Sequence, residues 1–134
     1  MGRKLILDTG VLIAAERGRF SLSAFAEDDD LAIAAITVSE LLMGVKCADE
    51  RRRPKRQEHF DQLLKVLPVE NYTLQTAIAH AKLRVHAKRA GRPRGTFDLI
   101  IAATALATGR VLATTDKAAG FDDLPGLDCI VLQP

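Results

Sequence analysis

Apolar and polar positions fall in blocks that alternate between short unbroken apolar runs and longer helical periods. Lys4 to Leu7 reads as a buried strand, and Ala32 to Ile36 and Leu67 to Glu70 as two more. Val111 to Ala113 and Ile130 to Leu132 supply the last strands. Between them, Thr9 to Arg17 predicts a helix with Val11, Leu12 and Ala15 on one face and Gly18 as its stop. Phe20 to Ala26 predicts a short helix, followed by Glu27-Asp28-Asp29-Asp30 as a solvated acidic turn. Thr37 to Ala48 and Arg51 to Val66 predict helices, the second tolerating Pro54 in its first turn. Thr73 to Ala90 is the longest predicted helix, with Ala77, Ala81, Leu83 and Ala87 as inward positions. A loop at Gly91-Arg92-Pro93-Arg94-Gly95 leads to a very apolar helix, Thr96 to Thr108, closed by Gly109. Strands alternating with helices imply an α/β fold, a mainly parallel central sheet covered by helices on both faces.

Composition sharpens this picture. The 134 residues suit one domain, 1–134, with no repeat, linker or low-complexity segment. A 48% hydrophobic fraction with 4% aromatics and no Trp implies an aliphatic, Ala-rich core. Cys47 and Cys129 match no metal spacing and are expected to be reduced, buried thiols. Asp8 interrupts the first apolar run too soon for a signal peptide, and no run is long enough to span a membrane. A soluble, cytoplasmic protein with no membrane partner is expected.

Four carboxylates carry the chemistry. Asp8 ends the first strand, Glu40 stands at the helical stretch after the second, Asp98 opens the most apolar helix, and Asp116 follows Val111-Leu112-Ala113. In an open α/β sheet, strand C-termini and nearby helix N-termini meet in one crevice. Alone, each acid has an ordinary reading. Thr37-Val38-Ser39-Glu40 fits a capping box, Asp8 and Asp98 fit helix starts, and Asp116 fits a turn. Together they form a like-charged cluster that needs cations. An all-oxygen set selects hard ions, Mg²⁺ or Mn²⁺, and a carboxylate-held metal suggests phosphodiester hydrolysis. Thr9, Thr37, Ser39, Thr114 and Thr115 stand beside the acids, placed either to cap turns or to orient the carboxylates. Asp122 and Asp123 read as surface groups or supports of the site.

The net charge of +2 says little, but its distribution says more. Arg51, Arg52, Arg53, Lys55 and Arg56 are packed into six positions. Lys82 to Arg94 adds six cations with no acid between them, Arg92 and Arg94 lying just before Asp98. Such runs are either solvated faces or cationic surface for a polyanion, which makes Arg51, Arg52, Arg53, Arg92 and Arg94 candidate RNA contacts. His59, His80 and His86 are expected at the exposed surface.

The motifs resemble those of the PIN-domain nucleases. Leu5 to Ile13 resembles the first motif, Ile36 to Gly44 the second, Phe97 to Ala105 the third, and Leu112 to Asp116 with Phe121 the fourth. The short chain looks like a VapC-type toxin; Gly10 departs from the Asn or Ser often found there. This resemblance implies a three-layer α/β/α sandwich, a homodimer, Mg²⁺- or Mn²⁺-dependent endoribonuclease activity on structured RNA such as tRNA or rRNA, and an antitoxin that blocks the site. It makes Asp8 and Asp98 expected metal ligands. Glu40 would bind metal or orient the attacking water, and Asp116 would hold metal directly or through water, the four acids binding one or two ions.

Three rivals remain at this point. Asp8-Thr9-Gly10 matches the aspartic-protease triplet, though those folds are nearly all β. A phosphoacceptor receiver domain also gathers acids at strand ends, but would carry adjacent acids after the first strand, whereas Leu7 precedes Asp8. The third is a non-catalytic PIN-like RNA-binding module.

Overall fold

The computed structural model describes residues 2–91, 94–116 and 120–133. Its chain order is β1 (Lys4–Leu7), α1 (Thr9–Glu16), β2 (Asp30–Ala34), α2 (Ala35–Lys46), α3 (Arg53–Val66), β3 (Val69–Glu70), α4 (Leu74–Arg89), α5 (Thr96–Thr108), β4 (Val111–Thr114) and β5 (Cys129–Val131). Five strands form one sheet in the order β3-β2-β1-β4-β5. Every pairing is parallel. The expected α/β architecture is therefore present, and the strand order excludes two rivals. An all-parallel sheet is not an aspartic protease, and a receiver domain would show the order 2-1-3-4-5.

Alternation along β1 builds the two helical layers. Leu5 and Leu7 face one core with Val11, Leu12, Phe20, Ile33 and Leu63. Ile6 faces the other, against Leu83 of α4 and the apolar side of α5. Gly109 ends α5 at φ 66°, a left-handed position that suits a residue without Cβ.

Several local expectations need correction. Pairing of Lys4 with Asp30 and Leu5 with Leu31 draws those residues into β2, and extended Ala34 caps α2 two residues earlier than expected. The stretch at Phe20 to Ala26 forms only a 3-10 turn, Leu22–Ala24. On α4 the inward stripe is Thr76, Ala79, Leu83 and Ala87, while Ala81 is exposed. An alanine-rich helix offers two apolar stripes, and Ala81 belongs to the outer one with Leu74, Ile78 and Val85. The acidic turn is not simply solvated. Asp29 accepts from Arg3 N and Nε, each at 3.1 Å, and the Arg3 hydrogen bond holds its carboxyl well below the usual range. Asp30 pairs with Arg110 at 3.1 Å. Cys47 is a free thiol exposed at the end of α2, rather than buried, and Cys129 is half-buried. The three histidines are half-buried rather than exposed, with His80 Nδ1 2.9 Å from the Tyr72 hydroxyl.

Candidate active site

Strand order reverses direction around β1, so the crevice at the C-terminal ends of β1 and β4 is the topological switch point. Asp8 leaves β1 there with its backbone still in the ladder, Asp8 N donating to Ala113 O at 2.9 Å. It is the N-cap residue of α1, yet its side chain makes no capping hydrogen bond. Instead Thr114 Oγ1 donates to Asp8 Oδ2 at 2.9 Å. The same hydroxyl accepts from Asp116 N at 3.0 Å. One threonine at the end of β4 thus ties the first acid to the backbone of the fourth.

Glu40 is no capping-box residue. Helix α2 starts at Ala35, so Thr37 and Glu40 lie inside it, one turn apart on one face. Thr9 Oγ1 donates to Glu40 Oε1 at 2.8 Å and lies 3.0 Å from Thr37 Oγ1. Thr37 is fully buried, which fixes this hydroxyl pair and through it the glutamate. Ser39, expected to support the site, is exposed on a different side of α2.

Asp98 sits in the first turn of α5, where its charge answers the helix dipole. Gly95 lies close to it: a Cβ there would sit 3.1 Å from Asp98 Oδ2, a tight contact that the carboxylate would have to yield to by a few tenths of an ångström. Gly10 is different: a Cβ would meet Asp8 Oδ2 at 3.8 Å, an ordinary contact, so a larger residue fits at this departure from the family motif.

Electrostatics show that the acids share one field. Burial raises the Asp8 pKa to about 6, opposed by the Thr114 hydrogen bond and reinforced by Asp98 and Glu40. Burial also raises Asp98, reinforced by Asp116 and opposed by Arg94. Asp116 is exposed, at the mouth of the crevice. Sequence reasoning missed the arrangement around Arg94. This candidate RNA contact is tucked in, its side chain 12% exposed, and pairs with Asp123 beside Asp98. Of the two readings the sequence left for Asp123, surface group or support of the site, its pairing with Arg94 favours the second, and a Cβ at Gly120 would crowd the same guanidinium. Arg92 lies outside the described residues, as does Lys117. Arg51, Arg52 and Arg53 are all exposed, with Arg53 Nη2 donating to Ala48 O at 2.8 Å.

A family model described as PIN domain matches residues 5–127. The chain belongs to the PIN-domain family. Ribonuclease VapC of Rickettsia bellii is 28% identical to it over 129 residues, 96% of each chain. A tRNA(fMet)-specific endonuclease VapC of Shigella flexneri is 30% identical over 135 residues, covering 92% of this chain and 94% of that one. Among solved structures, VapBC-5 of Mycobacterium tuberculosis, a member of the VapBC family of toxin–antitoxin systems, superposes with a TM-score of 0.77 at 25% identity, covering 98% of each chain. This PIN domain thus has its acids at the crevice that its sheet order creates. No helix among the described residues is long and apolar enough to cross a membrane.

Whether these acids suit a metal can be read from the donors. Among the described residues no three are already gathered closely enough to hold an ion. The donors are nonetheless all carboxylate oxygens, and Asp8 bears burial and two neighbouring acids as unfavourable influences. A hard divalent cation relieves each of these, so the residues fit Mg²⁺ or Mn²⁺.

Proposed function

We propose that the protein is a metal-dependent endoribonuclease, the toxin of a toxin–antitoxin pair, hydrolysing phosphodiester bonds in structured RNA to inhibit translation and growth. The observation that carries this reading is the coupled acid cluster, Asp8 with Glu40 and Asp98, and Asp98 with Asp116. The ribonuclease names of the VapC relatives support it, and the tRNA-specific relative favours a tRNA-like substrate. Likeness to a VapBC system supports an antitoxin partner. The whole of 1–134 would act as one nuclease domain.

Asp8 and Asp98 would hold Mg²⁺ or Mn²⁺, with Glu40 and Asp116 completing the set directly or through water. When bound, the cation supplies Lewis acidity at the scissile phosphate and a more acidic water. Thr114 keeps Asp8 Oδ2 aimed into the crevice, and Thr9 holds Glu40 where it can accept a proton from the attacking water. Attack by water leaves a 5′-phosphate and a 3′-hydroxyl. Sequencing RNA 5′-ends after expression in cells, beside an Asp98→Asn control, tests the reading. Discrete new 5′-phosphate ends absent from the control are expected; identical end profiles would refute it.

Thr114→Val should retain the fold, since the side chain is buried and similar in shape. It removes the donor to Asp8 and the acceptor for Asp116 N, so cleavage should fall by about 10- to 100-fold. An unchanged rate would show that the hydroxyl does not position the acid.

A homodimer completes the proposal. The apolar triplet Leu41-Leu42-Met43 offers only Met43 as well exposed. Helix α4 offers more, since Leu74, Ile78 and Val85 form one exposed stripe. Light scattering should give a dimer at micromolar concentration, and Ile78→Asp should shift it towards monomer. A monomer for the unaltered protein would remove this part of the proposal.

A further inference from the structure

Helix α3 presents a cationic face that the acid cluster does not use. Arg52, Lys55, Arg56 and His59 are spaced by three, four and seven residues and so share one side of the helix. With Arg51 and with Glu16 of α1 they line a cavity of about 390 Å³. Four permanent cations face one carboxylate there. That carboxylate is engaged by Arg56 Nε at 3.5 Å, and Arg56 Nη1 also reaches Gly44 O of α2 at 3.4 Å. Arg56 is thus a strut between α1, α2 and α3, while Arg51, Arg52 and Lys55 are exposed. Arg52 meets Asp49 at 3.9 Å with both side chains largely in solvent, a weak pairing. His59 adds a second observation: its Nε2 is buried without a hydrogen-bond partner among the described residues. That nitrogen is closed to solvent, so a ligand oxygen reaches it only if the ring turns towards the cavity.

This cavity adjoins another that reaches Glu40. Glu16 and Arg56 also line a neighbouring cavity of about 110 Å³, whose walls include Ile13, Arg17 and Glu40. Glu16 and Arg56 stand between the two cavities, one reaching the glutamate of the acid cluster and the other the cationic face of α3. We propose that this face is a subsite for the backbone phosphates of RNA flanking the cut, an inference that rests on the ribonuclease reading. Guanidinium forks and an imidazole match phosphate oxygens. The lining has no Phe, Tyr or Trp to stack a base, so the subsite holds the phosphate chain with little regard to sequence. It selects for length: RNA must extend from the acids to α3 to gain from it. An acidic protein segment is the competing occupant. RNA is favoured because the adjoining cavity is walled by Glu40, one of the acids that would act on a phosphodiester.

The test uses the full chain with Arg51→Gln, Arg52→Gln and Lys55→Gln combined, and a charge-matched control, Lys4→Gln, Lys46→Gln and Lys65→Gln. Binding of synthetic RNA oligonucleotides of graded length, from about 5 to about 25 nucleotides, is titrated over a salt series, with cleavage followed in parallel. For the longest RNA, affinity should fall about tenfold or more, and the slope of log affinity against log salt should shrink by about 2. The loss should diminish as the RNA shortens, and the control should behave as the unaltered protein. His59→Ala should weaken binding of the long RNA in the same direction. The proposal is overturned by no loss, by equal loss in the control, or by the same loss at every length. It is equally overturned if RNA affinity holds while affinity for an acidic partner protein falls. If the unaltered protein shows the length-dependent binding but cuts nothing, the nuclease reading fails and the subsite stands.

Discussion

Asp98→Asn and Asp8→Asn should each lower RNA cleavage by about a thousandfold while leaving a folded protein. Either change removes an anionic oxygen from the coupled cluster but keeps the size of the side chain. In the cation-free protein, burial and neighbouring acids raise the Asp8 pKa to about 6 from an ordinary 3.8. The folded chain then holds that proton more tightly than the unfolded one. Stability is therefore greater at low pH and falls as pH climbs from about 4 to about 6. Above that window, ionised Asp8 costs up to about 3 kcal/mol, the equivalent of about two pKa units. Asp8→Asn removes this cost, so the cation-free variant should melt higher than the unaltered protein at pH 8 and similarly at pH 4. Thermal melts with chelator at both pH values, beside cleavage assays, check the pair of effects. A variant that is inactive because it is unfolded would defeat the assignment, as would an Asp98→Asn protein that still cuts RNA.

Much of this site was legible because parallel α/β topology converts sequence position into place. An acid that ends a strand, as Asp8 does, or follows one, as Asp116 does, must lie at one edge of the sheet. The reason for Glu40 was harder to read. Thr37-Val38-Ser39-Glu40 imitates a capping box, and only the early start of α2 at Ala35 shows that both residues are helix-internal. Its true partner, Thr9, is 31 residues away and meets it only because α1 and α2 pack together. Arg94 shows the same limit. Its position before Asp98 suggested a free cation, whereas Asp123, 29 residues on, turns it inward. The inward face of α4 was misread at Ala81, because small apolar residues occur on both sides of that helix. Local pattern thus located the elements and the acids, while long-range pairings decided which hydroxyls and cations serve them.

Excess chelator should abolish RNA cleavage, and Mg²⁺ or Mn²⁺ should restore it. Clustered carboxylates supply charge but no polarising group, and Arg94, the cation bearing on Asp98, is already engaged by Asp123. Binding should also be visible without turnover. A cation at a hundred times its dissociation constant would stabilise the fold by about 2.7 kcal/mol, a readily measured rise in melting temperature. That rise should be largely lost in Asp98→Asn. The affinity should depend on pH, because a ligand carboxyl must lose its proton before it binds. With Asp8 titrating near 6, apparent affinity should climb by about fivefold from pH 5 to 6, by about tenfold from pH 5 to 7, and level off above pH 7. The cleaved ends provide an independent check. Hydrolysis by water gives 5′-phosphate and 3′-hydroxyl ends, whereas attack by the ribose 2′-hydroxyl gives a 2′,3′-cyclic phosphate. Undiminished cleavage in chelator, or cyclic phosphate ends, would reject the carboxylate–metal mechanism even if the protein cuts RNA. Cation affinity that stays flat between pH 5 and 7 would instead leave the mechanism standing and remove Asp8 from the ligand set.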